Sequence, residues 1–242
     1  MRRRIPMLAF LASFAALAVT MAACGGGGNN DGGSGTTGPL PSVDSVLPPA
    51  IQAFDAMKTF HFRLEHENGG SPIPPGLTLE TADGDVIVPD RMSAKLEAKA
   101  GQQTVRVEVI GIGDEGWITN PFSREWQPLP SGTTIKDIFD PAQGVKAIVG
   151  SLQDAQVTAE EKVDGTPCYR VEGTIASDVL TTAVPIAKPG LTVGIKVWIG
   201  KDDSRIYQVY LVGPIAPDEP SNIVRRITLS KFDEEITINS PV

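Results

Sequence analysis

The chain has 242 residues, 29 acidic against 21 basic, and a formal net charge of −8. Such a balance disfavours nucleic acid as a partner and gives the protein surface no attraction to anionic lipid headgroups. Two cysteines, Cys24 and Cys168, and two histidines, His61 and His66, leave little material for a disulfide framework or a metal site.

The first element in chain order is a targeting segment. Arg2, Arg3 and Arg4 form a basic start, and an apolar run from Leu8 to about Met21 follows, broken only by Ser13 and Thr20. The run is short for a membrane span and lacks a basic stop-transfer flank, so residues 1–23 read as a signal peptide. It ends in Met21-Ala22-Ala23-Cys24, which resembles a bacterial lipobox with Met21 in place of the usual leucine. Cleavage is expected between Ala23 and Cys24, with the Cys24 thiol carrying a diacylglycerol. The alternative is an ordinary secretory peptide with Cys24 incidental. Gly25 to Gly38 is nearly all Gly, Asn, Ser, Thr and Asp, a composition that cannot offset the entropy of ordering. Residues 24–41 are therefore expected to be a lipidated, flexible tether. Two or three acyl chains, palmitate among them, would hold it stably where one alone binds marginally. The expected location is the extracytoplasmic face of a cell membrane. If the envelope has two membranes, inner and outer both stay open.

Residues 42–242 are expected to form one domain; roughly 200 residues suffice for a sizeable core. Ser45 to Lys58 places Leu47, Ile51, Phe54 and Met57 near one face of a helix, with Pro48 and Pro49 in its first turn. A second helix is expected from Pro141 to about Leu152, capped by Asp140, with Val145, Ile148, Val149 and Leu152 on one face. A short helix capped by Ser177 is expected to run towards Ala187. Elsewhere apolar and polar residues alternate: Phe60, Phe62 and Leu64; Val105, Val107 and Val109; Leu191, Val193, Ile195, Val197 and Ile199. These read as antiparallel strands with one covered and one solvated side. Turns are expected at Ala82-Asp83-Gly84-Asp85, Lys99-Ala100-Gly101-Gln102, Val163-Asp164-Gly165-Thr166 and Gly200 to Ser204. The fold class expected is mainly β (α+β): a single curved antiparallel sheet with helices covering its concave face.

Several segments carry a more specific resemblance. After the lipobox and polar tether, an amphipathic helix runs into Lys58-Thr59-Phe60-His61-Phe62, followed by Gly116-Trp117-Ile118 and by the helix opened by Asp140-Pro141. Val197-Trp198-Ile199, Ile227 to Phe232 and Ile236 to Pro241 close the domain. In order and spacing this resembles the LppX/LprG-type bacterial lipoproteins, whose domain is a half β-barrel of the LolA/LolB-like kind. The resemblance implies a carrier that binds a lipid or lipidated glycan between sheet and helices and aids its transfer across the envelope, with a transporter as a possible partner. Ile51, Phe54, Met57, Val145, Ile148 and Leu152 are the candidate cavity residues, because the helices would form the lid. The same six serve equally as ordinary helix-on-sheet core. A structural lipoprotein with a packed core and a protein partner is thus the competing reading.

Little points to an enzyme. His61 and His66 lie five apart on one strand and face opposite sides, so they cannot chelate one metal. Gly111-Ile112-Gly113-Asp114-Glu115-Gly116 spells a dinucleotide fingerprint, yet it is followed by Trp117-Ile118-Thr119, a strand where such a site needs a helix. Cys168, within a strand, reads as a buried small hydrophobe. The carboxylate pairs Asp83/Asp85, Asp202/Asp203 and Glu234/Glu235 read as solvated turns or strand edges. Trp117 and Trp198 read as packing residues of a curved sheet, and Trp126 as part of an exposed turn. No catalytic residue, cofactor or metal is expected.

Overall fold

The computed structural model describes residues 38–73, 76–129, 140–181, 184 and 186–241. The expected signal peptide, its cleavage site at Ala23 and Cys24, and the tether as far as residue 37 lie outside the described residues. Helix α1 spans Val43–Asp55, beginning two residues and ending three residues earlier than the spacing predicts. Pro48 and Pro49 consequently fall in its second turn. They are exposed, as are Asp44 and Ser45 one turn earlier, so the carbonyls that prolines cannot serve are on the wet side. Helix α2 spans Pro141–Gly150, with Asp140 accepting a 3.0 Å hydrogen bond from the Gln143 amide and Pro141 at the first position. Of the third expected helix, the described residues show one 3₁₀ turn, Ser177–Leu180. Ser177 does not cap it. Its hydroxyl donates to the Lys188 carbonyl and accepts from the Leu191 amide, which ties both ends of the loop together instead.

Among the described residues, twelve strands follow the alternating segments: β1 (Thr59–Glu67), β2 (Ser71–Ile73), β3 (Leu77–Ile87), β4 (Arg91–Ala100), β5 (Gln103–Ile112), β6 (Glu115–Thr119), β7 (Trp126–Pro128), β8 (Gln153–Val163), β9 (Thr166–Ala176), β10 (Thr192–Gly200), β11 (Ile206–Val212) and β12 (Val224–Ser230). They form one antiparallel sheet in the order β7-β6-β5-β4-β3-β1-β12-β11-β10-β9-β8, and β2 pairs with the start of β3. The sheet is thus two meanders joined where the first strand meets the last, and it stays open at β7 and β8: a curved half-barrel.

Register explains which turn expectations hold. The turns at Gly101, Gly165 and Gly200–Ser204 connect β4 to β5, β8 to β9 and β10 to β11. Ala82 to Asp85 is no turn; it is the middle of β3, and the chain reverses instead at Val88 to Asp90. Gly84 faces Phe62 across β1 and β3. A Cβ at Gly84 would lie 2.2 Å from the Ser93 carbonyl oxygen and 2.7 Å from the Ala94 Cβ. Glycine is present because β3 and β4 close tightly there, not because the chain turns. Asp83 and Asp85 flank it on the outer face, where both approach His61 (3.6 and 2.8 Å).

The core lies on the inner face. Phe60, Phe62 and Leu64 of β1, Val193 to Ile199 in alternation on β10, Val209 and Leu211 of β11, and Ile227 and Leu229 of β12 pack beneath α1 and α2. After β12 the described residues contain no further strand, although Ile236-Thr237-Ile238 alternates. The Asp233 amide bonds the Thr59 carbonyl, and Thr59 Oγ1 donates to the Glu234 carbonyl at the start of β1.

Candidate functional site

Curvature leaves the half-barrel with an apolar concavity that must be covered. α1 contributes Val46 and Ala50, and α2 contributes Val145, Ile148 and Val149, all buried in the same cluster as the strand residues. Among the described residues, those of the helices packed in this cluster with the strands are apolar. The ion pair of this layer, Lys146 Nζ to Asp55 Oδ1 at 2.7 Å, runs from helix to helix.

Of the six candidate cavity residues, Ile51 and Phe54 lie on α1 and Val145 and Ile148 on α2, whereas Met57 and Leu152 fall just past the helix ends, because both helices stop earlier than the apolar spacing predicts. Met57, Val145 and Ile148 are buried in the core, and Ile51, Phe54 and Leu152 are half-buried against it. Phe54 meets Phe60 of β1 with ring centroids 6.0 Å apart. Ile51, Phe54 and Val149 line a recess with Asp55, Lys146 and Ile206, and its enclosed room is about 10 Å³, at the limit for one water. A second recess, where α2 begins over Val86, Met92 and Gly111, has about 30 Å³. Ligand cavities of roughly 300–1,000 Å³ are an order of magnitude larger than either. In this conformation the helices are seated.

One inner-face feature is polar. Arg225 precedes Ile227 and Leu229 in the inward phase of β12, and it is paired with His66 of β1. Its Nε donates to Ser71 Oγ at 3.0 Å and its Nη2 meets Glu219 Oε1 in an ion pair; both charged side chains are buried (5% and 2% exposed). The other Glu219 oxygen accepts from the amides of Ile215 (2.8 Å) and Ala216 (3.3 Å). His66 Nδ1 faces the Glu80 carbonyl at 2.9 Å and its Nε2 faces Ser71 Oγ at 2.8 Å. A carbonyl can only accept, so Nδ1 carries the proton and Nε2 accepts from the Ser71 hydroxyl, whose oxygen accepts from Arg225. Burial pushes the His66 pKa down, and backbone bonding to Glu80 only partly opposes this, in keeping with a neutral ring. Burial likewise lowers the Arg225 pKa, against the pull of Glu219. Sequence reasoning missed this cluster. The available signal was Arg225-Arg226: on an alternating strand, one of two adjacent arginines must point inward.

The remaining singled-out residues lie elsewhere. Cys168 and Trp198 share a small outer-face cluster with Val163, flanked by Tyr207 and Tyr210. Trp198 Nε1 donates to Glu161 at 2.7 Å. Trp117, paired with Ile110, has the phase opposite to the inner-face pair Val109 and Ile118. Trp126 belongs to β7 and is half-buried, a correction to the expected exposed turn: pairing with Thr119 makes it the first residue of an edge strand. Gly113, with φ of 56°, turns β5 into β6, so the glycine-rich match is a hairpin. Among the described residues there is no group of three or more His, Cys, Asp or Glu arranged to hold a metal, and no helix long and apolar enough to cross a membrane.

An open antiparallel half-barrel with an apolar face covered by helices defines the class of lipoprotein domain that the resemblance implies. The chain belongs to the LppX_LprAFG lipoprotein family, whose model matches residues 44–238. It is 23% identical over 235 residues to the "Putative diacylated glycolipid transporter LprF" of Mycobacterium bovis, covering 93% of this chain and 87% of that one. It is 26% identical over 109 residues to lipoprotein LprA of Mycobacterium tuberculosis, covering 43% of this chain and 42% of that one. The crystal structure of LprF from Mycobacterium bovis superposes with a TM-score of 0.63 at 20% identity, covering 81% of this chain and 95% of that one. That of LppX from Mycobacterium tuberculosis gives 0.57 at 22% identity, with 82% and 100% covered.

Proposed function

We propose that this protein is a membrane-anchored carrier that takes a lipid or lipidated glycan between its sheet and helices and aids its passage through the envelope. The observation that carries this reading is the apolar interface between α1, α2 and the concave sheet. Its contacts are non-directional, so acyl chains can replace them without leaving a hydrogen bond broken. Each methylene moved out of water contributes about 0.8 kcal/mol, which offsets helix–sheet packing lost on opening. The seated helices then represent the empty state, and a populated minor form with the helices lifted would admit the ligand. The name given to the LprF relative, a diacylated glycolipid transporter, supports the same ligand class. Cys24, acylated after cleavage at Ala23, and the polar segment to residue 41 would hold the domain near the outer face of a membrane. No covalent chemistry is required of any residue.

Native mass spectrometry of the protein purified without detergent from a membrane-containing host tests the reading. Adducts in the mass range of diacyl or triacyl lipids, reduced by a bulky substitution such as Phe54→Trp, are the expected result. A single apo mass, unchanged after incubation with lipid vesicles, would leave a packed structural lipoprotein with a protein partner.

A further inference from the structure

We propose that Arg225 is a seat for the anionic group of a bound lipid, and that Glu219 fills this seat while the interior is closed. The inference rests on the carrier reading and adds a ligand chemistry and a place of entry to it.

Two features separate this ion pair from an ordinary buried one. The cation belongs to the sheet. Arg225 is on the inner face of β12, and its guanidinium is oriented by Ser71 on β2, itself held by His66 on β1. Nη1 also donates to the Gly213 carbonyl at 3.5 Å, where the loop begins, and this contact would leave with the loop. The Ser71 and His66 contacts do not involve Glu219. The anion belongs to a loop. Glu219 lies in the connection from β11 to β12, residues 213–223, and its carboxylate is wrapped by amides of the same connection.

The loop is also a plug. Ile215 and Ile223 are about fully buried (1% and 0% exposed), and Ile215 joins the main core cluster beneath the helices. The Lys188 amide donates to the Ile215 carbonyl at 2.8 Å, which fastens the plug to the segment following the 3₁₀ turn. Withdrawing Glu219 therefore withdraws Ile215 and opens this end of the concavity.

Charge decides what can replace Glu219. With His66 neutral, Arg225 is the cation of the cluster. A buried guanidinium without a counter-charge is strongly disfavoured, so the loop is released readily only when another anion arrives. A lipid bearing phosphate or carboxylate on its headgroup meets both demands: its oxygens pair with Arg225 in a forked geometry, and its chains occupy the volume Ile215 leaves.

The test uses the full-length chain and three probes: phosphatidylcholine vesicles carrying phosphatidylglycerol, the same vesicles carrying diacylglycerol, and inorganic phosphate. Hydrogen exchange is followed at Ile215 and Ala216, and retained lipid is identified by mass. Phosphatidylglycerol should be retained over diacylglycerol by about ten-fold, with loss of protection at both amides. Arg225→Met alone would strand Glu219, so the decisive variant is the double change Glu219→Leu with Arg225→Met. It should fold, retain diacylglycerol at least as well as the native chain, and lose the preference for phosphatidylglycerol. If the double variant keeps that preference, or the loop stays protected in lipid-loaded protein, the seat is refuted while the carrier reading stands. Loss of protection with inorganic phosphate alone would overturn the headgroup assignment. Retention of no lipid from any vesicle would overturn the carrier reading and this inference with it.

Discussion

Lys146 on α2 and Asp55 on α1 form an ion pair of 2.7 Å, with about half of each side chain exposed. The pair lies at the rim of the recess lined by Ile51, Phe54 and Val149 and ties α1 to α2; on the carrier reading it would act as a clasp. Exposed pairs of this kind contribute about 0–1 kcal/mol and weaken with salt. Lys146→Ala should shift the urea-unfolding free energy by less than about 1 kcal/mol while accelerating uptake of a fluorescent lipid in stopped-flow mixing. Uptake no faster than that of the native chain would mean that the helices do not part at this rim.

The tight approach at Gly84 gives a second expectation. A methyl group there meets backbone at 2.2 Å, and backbone cannot rotate away. Gly84→Ala should therefore destabilise by about 1–3 kcal/mol or more, seen as a lowered thermal midpoint. Asp83→Ala, one residue away on the exposed outer face, is the control and should change it little. Equal effects at the two positions would show that curvature at Phe62 and Gly84 is not the constraint.

Burial pushes the Cys168 thiol up to about 11, and the residue is fully buried in the outer cluster. Little thiolate exists at neutral pH, and access is closed. The folded protein should not react with a maleimide over a period in which the urea-unfolded chain is fully labelled. Prompt labelling of the native state would place Cys168 in a far more open setting.

His66 supplies a pH dependence of defined sign. Burial lowers its pKa below the ordinary value of 6.5. As pH falls below 6.5, the unfolded chain takes up a proton at this site that the folded chain refuses, so this contribution to stability is present above that value and is lost below it. The urea midpoint should drop between about pH 7.5 and pH 5.5, and His66→Gln should flatten the change. An unchanged slope in the variant would assign the pH dependence to other groups.

Much of this fold was legible in the chain because strand alternation and helix spacing are local signals. Phe60, Phe62 and Leu64 announce an inward face regardless of which strands flank them, and Asp140-Pro141 marks a helix start by its own chemistry. Failures occurred where one local pattern serves two environments. Ala82 to Asp85 has the composition of a turn, yet it is the middle of a strand because β4 approaches too closely for a side chain at Gly84. Trp126 follows a turn in sequence but gains a partner, Thr119, only once β6 is in place.

The sequence by itself determined the acidic balance, the strand and helix faces, the apolar composition of the lid and the family resemblance, since each depends on residue type and near spacing. Tertiary structure decided the meeting of β1 with β12, the seating of α1 and α2 over the concavity, and the convergence of His66, Ser71, Glu219 and Arg225. The last is a matter of distance along the chain: Ser71 and Arg225 are 154 residues apart, and their hydrogen bond exists only because the sheet brings its first and last strands together.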